Sequence, residues 1–409
     1  MQIAYGGSGA IAIADMVVGF LIALCPILQH YRGLLMEVSS ELLILMLPYI
    51  LFKFLAYKKI KFLPVLPLFA YGLYISFIHG FSIFLFAREM LLIVYFIAAL
   101  NGVISFSRVI RSATAIALLA GFCMLVQTLL YYLFGFHLQL VPTSLLLESA
   151  EQWVGLAQTG RISVTGAWTA FYRPSAFFLE PSHLSLYTLP LMTLLLFSKK
   201  RIDKRKAAWL TLSIFLTTSG IGIAAASFLW IIYAALYSGK REKARQALIS
   251  NLLRPRTFLY LFLLVVLLGV LYFTVGVFRS AVNRIFISSA MGGNNAIQGR
   301  TATGLRLMQM LSGISVLFGR GTSVSISSWN ISGIFYTLFQ YGIVGCILYY
   351  YFYVRSLFVL RRGYFWLTLM IVGLSFVTVH TFASFYRMYF ILIVLSGYSR
   401  SDSRKLKHA

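Results

Sequence analysis

The chain consists largely of uninterrupted apolar runs, most of them close to the roughly 20 residues that an α-helix needs to cross a bilayer. Of its 409 residues, 60% are hydrophobic and only 11% are charged, which is far outside the composition of a soluble domain. Inside a bilayer, a helix satisfies its own backbone hydrogen bonds. The sequence therefore predicts an all-α polytopic membrane protein, with residues 1–409 forming a single integral membrane domain.

Eight of the runs predict one span each, and two longer runs predict two spans each. The single spans are expected at about 10–30, 34–56, 63–79, 82–100, 113–135, 177–197, 257–277 and 331–354. The longer runs, about 207–238 and 364–398, have basic residues on both sides, so each crosses an even number of times if basic loops are cytoplasmic. Hairpin turns are expected near 217–220 and 380–381, which makes about twelve transmembrane helices.

The formal charge of +25 would suggest nucleic-acid binding in a soluble protein. Here the basic residues lie in short loops between apolar runs, where they orient the chain in the membrane, and no nucleic-acid partner is expected. With twelve spans, the predicted cytoplasmic segments hold 25 of the 35 lysines and arginines, including every lysine. Both termini are accordingly predicted to be cytoplasmic.

Two long segments, about 136–176 and 278–330, fall on the predicted outer face. Loops of this length in a compact protein are usually functional or disordered, and the mixture of aromatic residues, arginine and glycine favours function. The second segment also predicts an amphipathic helix over about 301–317. Its apolar stripe would lie on the membrane surface or pack over the bundle, and is formed by Leu307, Met310, Leu311, Ile314 and Leu317.

All ten basic residues outside the predicted cytoplasmic segments are arginines. A guanidinium group stays charged and binds phosphate oxygens two at a time, so the expected ligand is an anion, and a phosphate in particular. The alternative is that several of these arginines are interfacial anchors or partners of carboxylates. The histidines lack the spacing of metal ligands and there is no Asp-x-Asp pair, so neither a metal site nor a cofactor is expected.

Glu180 precedes Pro181, which fits the first position of the following helix and so places Glu180 at the helix cap. Its carboxylate is either a general base towards a sugar hydroxyl or a cap that pairs with Arg88 or Arg173. Arg88 and Glu89 are adjacent in a span and point about 100° apart, so each is expected to need a partner on another helix.

Arg300 is expected at the start of the amphipathic helix, where the helix N-terminus would help it to anchor an anion. Arg306 lies six positions further on, about 120° around the helix axis, and is predicted to be a flanking contact. His380 falls at an outer turn close to Arg387, where it either touches substrate or is a structural histidine.

Two parts of the chain resemble one family. Residues 173–187, RPSAFFLEPSHLSLY, are similar to the pattern of an arginine followed by an aromatic-rich F-x-EPS run that enters a span. The second likeness comprises Gly299 and Arg300, the helix that follows, the sequence LFGRG at 317–321 and the sequence YGIVG at 341–345. With the span count and the two outer loops, these motifs resemble the bacterial Wzy-type O-antigen polymerases of the O-antigen ligase and polymerase superfamily.

The resemblance implies a GT-C-like glycosyltransferase fold in the bacterial inner membrane, with the long loops in the periplasm. It implies metal-independent transfer of a glycan from an undecaprenyl-diphosphate carrier to another lipid-linked repeat unit. A chain-length regulator and a flippase of the same pathway are expected partners. By analogy, Arg173 and Arg300 would grip the diphosphate and Glu180 would orient or deprotonate the acceptor. The further expected substrate contacts are Arg88, Arg161, His183, Arg306, Arg320, His380 and Arg387.

Two alternatives remain beside polymerisation. The ligases tend to carry a His-Asn pair before the late span, where this chain has Trp329 and Asn330, which favours a polymerase. A flippase for lipid-linked oligosaccharides would share the span count and the cationic interior. It would be expected to have pseudo-repeated halves and short outer loops, which this sequence lacks.

Overall fold

A computed structural model describes residues 9–55, 60–78, 80–147, 172, 174–198, 203–237, 266, 269–270, 273–274, 296–321, 332–360, 363–379, 382 and 384–405. Within these residues the protein is helical, and β structure is limited to two isolated bridges. The helices are α1 (Gly9–Leu28), α2 (Val38–Phe54), α3 (Leu66–Phe77), α4 (Ile83–Leu100), α5 (Phe106–Phe134), α6 (Pro181–Phe197), α7 (Lys204–Leu216), α8 (Gly220–Tyr237), α9 (Ala296–Gln309), α10 (Ile314–Phe318), α11 (Gly333–Val359), α12 (Gly363–Val377) and α13 (Ser384–Lys405).

Helices α6 and α13 form the centre of the bundle. Almost every described side chain of α6, and of α13 as far as Tyr398, is buried, as expected for helices that are apolar all round. Tyr187 of α6 stacks on Tyr389 of α13 with ring centroids 4.9 Å apart. Helix α13 also packs on α1, α4, α5 and α12. Helix α13 therefore packs against helices from both halves of the chain.

The described part contains four helices that are long and apolar enough to cross a membrane, namely α1, α4, α5 and α11. Each of them buries one side against the bundle and exposes large apolar side chains on the other, for example Phe84 at 82%. Such a surface suits hydrocarbon rather than water. The fold is that of a helical membrane protein, as the sequence predicts.

Each of the two longer apolar runs is divided into two helices, as predicted, while the turn predicted at 380–381 lies outside the described residues. Helices α7 and α8 are separated by residues 217–219, and α12 and α13 by residues 378–383. The single spans agree within a few residues, except that α5 begins at Phe106 rather than near 113 and so includes Arg108 and Arg111. The polar residues extend the helix beyond its apolar part, which hydropathy does not detect. The predicted span at 257–277 lies almost entirely outside the described residues.

The two ends of the bundle differ in charge. At one end, Asp15 of α1 forms an ion pair with Lys53 of α2 (2.7 Å), and Lys53 also donates to the carbonyl of Val103. Arg108 donates to the carbonyl of Ala12 at the same end. These residues belong to, or border, the predicted cytoplasmic segments. We call the opposite end, where α1 and α5 end and α2, α4, α6 and α13 begin, the outer end.

The first long outer segment is tied to the outer end on both of its described sides. Arg32 donates its amide to the carbonyl of Leu145 (2.8 Å), and Tyr31 pairs with Leu146 in an antiparallel bridge. The side chain of Gln127 in α5 donates to the carbonyl of Leu138 and accepts from the amide of Ala176. The start and the end of this segment are thus both packed against helices.

The second outer segment differs from the predicted single helix over 301–317. It forms α9, which begins at Ala296, and the short α10, with a break between them in which Gly313 has φ +57°. Gly313 lies directly before α10 and interrupts the helical backbone, while the apolar periodicity continues because both helices present apolar side chains. Leu305, Met310, Ile314 and Leu317 of this segment are exposed.

Candidate functional site

A buried ion pair lies near the outer end of the bundle. Nη2 of Arg387 in α13 lies 2.5 Å and 2.6 Å from the two carboxylate oxygens of Glu89 in α4. The two side chains are only 5% and 4% exposed. Charges withdrawn from water in an apolar bundle are costly and commonly mark a functional position. This pair is the centre of the candidate site.

Helix α3 provides the aromatic and steric surroundings of the pair. The guanidinium carbon of Arg387 lies 5.7 Å from the centroid of the Tyr71 ring, in cation–π contact. Gly72, the next residue, brings α3 close to Glu89, because a Cβ at Gly72 would lie 3.3 Å from the Cβ of Glu89. The Tyr71 ring also contacts the rings of Tyr341 and Tyr349 of α11. Arg387 is thus enclosed by α3, α4 and α11.

Arg88 provides a second guanidinium at the same carboxylate. Its Nη2 lies 3.9 Å from Oε1 of Glu89, and its side chain is 42% exposed. A small pocket, with room for about one water molecule, is lined by Arg88, Leu92, Phe385 and Arg387. Within the described part of the chain, the buried Nε of Arg387 has no hydrogen-bond partner. Two guanidinium groups share one carboxylate, so the trio carries a net charge of +1 beside a pocket and can attract an anion.

Glu180 begins α6 as predicted, with Pro181 in the first helical turn, but its side chain makes no capping hydrogen bond. Its carboxylate accepts a hydrogen bond from the Ser182 hydroxyl (2.8 Å). Of the two alternative partners expected for Glu180, Arg88 lies against Glu89 instead, and Arg173 lies outside the described residues. Glu180 is half-buried at the outer end, and its carboxylate can accept further hydrogen bonds.

His183 is buried at the same end of α6, with 1% of its surface exposed. Its ring stacks on that of His30 at 5.0 Å, and its carbonyl accepts a hydrogen bond from the Tyr386 hydroxyl (3.2 Å). Tyr386 precedes Arg387 on α13 and points about 100° away from it. Glu180 and Arg88 therefore flank the outer end of α13 from different sides.

The predicted anchor Arg300 is the fifth residue of α9, not its first, and its side chain lies outside the described part. The residues before it extend the helix, so the helix N-terminus is a turn away from it. Arg306 is exposed on the same helix. Arg320 donates from its guanidinium to the carbonyl of Met310 (2.5 Å), which satisfies a backbone group after α9. Arg161, Arg173 and His380 lie outside the described residues.

The sequence indicates that Glu89 needs a partner on another helix, and Arg387 is that partner. The choice of Arg387 could not be made from the sequence, because the two residues are 298 positions apart. The roles of Tyr71 and Tyr341 were missed altogether. The signal available for them was weak, since the chain has 25 tyrosines, most of them within apolar runs.

Comparison of the chain with known protein families, curated proteins and solved structures finds no match.

Proposed function

We propose that this protein is a polysaccharide polymerase of the bacterial inner membrane. It would join undecaprenyl-diphosphate-linked oligosaccharide repeat units at the periplasmic face into O-antigen or a related surface polysaccharide. The observation that carries the proposal is the trio of Arg88, Glu89 and Arg387 at the outer end of an apolar bundle. The sequence resemblance to the Wzy-type polymerases supplies the reaction.

The charge of the trio fits the leaving group of this reaction. Transfer develops negative charge on the diphosphate, and stabilising such charge is usually the largest catalytic contribution. Because Glu89 neutralises Arg387, Arg88 is free to provide positive charge at the pocket, and its partial exposure leaves it accessible. A guanidinium can bind two phosphate oxygens at once. Arg173 and Arg300 are proposed to add further contacts to the same diphosphate.

In the proposed step, the bond between the anomeric carbon of the donor glycan and the diphosphate oxygen breaks. The diphosphate leaves with the bonding electron pair. An acceptor hydroxyl forms the new glycosidic bond, and its proton passes to the carboxylate of Glu180. Glu180 and Arg88 flank the outer end of α13, so donor and acceptor lipids would approach from different sides of that helix.

The membrane arrangement proposed for this function has about twelve spans, a GT-C-like fold and both termini in the cytoplasm. The division of each longer apolar run into two helices and the lysine-containing ion pair at the end opposite the trio support it. A chain-length regulator and a flippase of the pathway are the proposed partners.

The test is an assay with purified protein and lipid-linked repeat units extracted from host cells that lack this protein. Wild-type protein is expected to give a ladder of polymer on a gel. Replacement Arg88→Ala should slow its formation by about 100-fold, the usual cost of one group that stabilises a developing oxyanion. Arg111→Ala, an exposed arginine at the opposite end of the bundle, is the matched control and should stay within about twofold of wild type.

Three results would overturn the proposal. The first is transfer by wild-type protein to a lipid A core acceptor without a ladder, which would identify a ligase. The second is movement of the lipid-linked unit across vesicles without any new glycosidic bond, which would identify a flippase. The third is an equal loss of activity in Arg88→Ala and Arg111→Ala, which would remove the trio from the mechanism.

A further inference from the structure

Helix α11 is interrupted at Gly342, which has φ +64° and ψ −170°. This conformation is essentially restricted to glycine. A continuous helix would pair the carbonyls of Phe339, Gln340 and Tyr341 with amides four residues on, and the interruption takes those amides out of reach. Buried carbonyls need other donors.

The segment after α10 supplies two of these donors. The amide of Arg320 donates to the carbonyl of Phe339 (2.8 Å), and the amide of Gly321 donates to that of Gln340 (2.9 Å). The third carbonyl, of Tyr341, accepts from the hydroxyl of Tyr74 in α3 (2.7 Å), which also lies 3.1 Å from the carbonyl oxygen of Phe318. We call residues 319–321, residues 339–342 and Tyr74 the clasp.

The clasp depends on two glycines that meet backbone to backbone. Gly319 has φ +76°, and a Cβ there would collide with the carbonyl of Gln340. A Cβ at Gly342 would collide with the carbonyl of Leu317. These are the LFGRG and YGIVG sequences, which are 20 or more residues apart in the chain and form one contact in the fold.

The clasp is continuous with the ion pair through α3 and Tyr341. Tyr341 receives the Tyr74 hydrogen bond on its carbonyl, and its ring packs edge-on against Tyr71 with centroids 6.0 Å apart. Tyr71 in turn lies beneath the guanidinium of Arg387. A chain of buried contacts therefore joins the outer segment that carries Arg300 and Arg306 to the trio.

We infer that the clasp couples the position of the outer segment 296–321 to the Glu89–Arg387 pair, and that Tyr74 is a positioning residue for the anion pocket. Tyr74 itself would touch no substrate. Its hydroxyl fixes the position of the outer segment relative to the first half of α11, so that the arginines of the outer segment and Arg88 reach the same anion. The part of this inference that concerns activity rests on the proposed function, while the coupling itself does not.

Hydrogen exchange tests the coupling without any assay of activity. Amide exchange is measured by mass spectrometry on a peptide that contains residues 318–321, in protein held in lipid nanodiscs. Replacement Glu89→Gln is expected to raise exchange at Arg320 and Gly321 by about fivefold or more, because a loosened pair loosens the clasp. Tyr71→Leu, which retains the pair but removes the intervening ring, should do the same. Asp15→Asn breaks the ion pair at the opposite end and should leave this exchange unchanged.

No change of amide exchange at Arg320 and Gly321 in either test variant, or an equal rise in Asp15→Asn, would overturn the coupling.

A second experiment measures activity and compares Tyr74→Phe with Tyr95→Phe. The hydroxyl of Tyr95 also donates to a backbone carbonyl, that of Leu43 (2.7 Å), but lies away from the clasp. Tyr74→Phe should reduce polymer formation about tenfold in the wild-type background and less than about twofold in Arg88→Ala. Tyr95→Phe should change polymer formation by the same factor in both backgrounds.

Equal effects of Tyr74→Phe in both backgrounds would show a role in stability alone and overturn the positioning assignment. Absence of polymer from wild-type protein would instead contradict the proposed function, and the exchange experiment would still decide whether the clasp and the pair are coupled.

Discussion

At the scale of single residues, the buried acidic and basic side chains of the described part, Glu89 and Arg387, lie together. Arg387 and Glu89 are nearly inaccessible, and each is tolerated in an apolar bundle because the other neutralises it. Arg88 is held beside them by the geometry of α4, although adjacent helical residues usually point apart. Arg88 therefore provides an accessible, positively charged guanidinium next to the buried ion pair.

Removal of one member of the buried pair should destabilise the protein strongly. Replacement Arg387→Ala is expected to lower the free energy of unfolding by about 3–5 kcal/mol, because Glu89 is left buried without a counter-charge. The loss is measured as a shift in the thermal unfolding midpoint of purified protein. Replacement Asp15→Asn, at the partly exposed pair with Lys53, should cost about 1 kcal/mol or less. Equal losses in the two variants would show that the Glu89–Arg387 pair is solvated.

At the scale of elements, two helices depart from regular geometry where the outer segment meets the bundle. The predicted amphipathic helix divides into α9 and α10, and α11 breaks at Gly342. The amides of Arg320 and Gly321, just after α10, satisfy two carbonyls next to the break in α11, so the end of the outer segment and α11 form a single structural unit. Interrupted helices of membrane proteins commonly line binding sites.

Gly342 and Gly373 offer a matched pair of glycine replacements in neighbouring helices. Gly342→Ala should lower the free energy of unfolding by more than about 2 kcal/mol, because alanine is strained at positive φ and its Cβ meets the Leu317 carbonyl. Gly373 in α12 has regular helical surroundings with nothing within 4 Å of an added Cβ. Gly373→Ala should stabilise by about 0.5–1 kcal/mol. Thermal unfolding in detergent measures both, and a neutral Gly342→Ala would contradict the backbone contact.

At the scale of the whole molecule, the two ends of the bundle carry different charged residues. The outer end holds Glu180 and the trio, and the opposite end holds Asp15, Lys53 and Arg108. Excess basic residues in short loops mark the cytoplasmic side. The orientation of the bundle therefore decides on which side of a membrane the candidate site lies.

Single cysteines in a variant without Cys25, Cys123 and Cys346 test this orientation. Ser82→Cys, exposed at the outer end before α4, should react with a membrane-impermeant maleimide in intact spheroplasts. Ser107→Cys, exposed at the opposite end, should react only after lysis. Reversed labelling would place the trio in the cytoplasm, and labelling of both in intact spheroplasts would contradict an arrangement across the membrane.

Hydropathy and charge in the sequence alone determined the helical membrane class, the positions of most described helices and the division of both longer runs into two helices. These properties follow from local runs of side chains that must leave water, so they can be read without a fold. The helix start at Pro181 is likewise a local property.

Only the tertiary structure decided which charges meet. Helix α13 packs on both α4 and α6. It therefore brings Arg387 to Glu89 and separates Glu180 from Arg88. The clasp has the same origin, since a backbone break in one segment is stable only where a distant segment supplies its hydrogen bonds. Contacts of this kind depend on the packing of helices that are remote in sequence, and no local pattern specifies them.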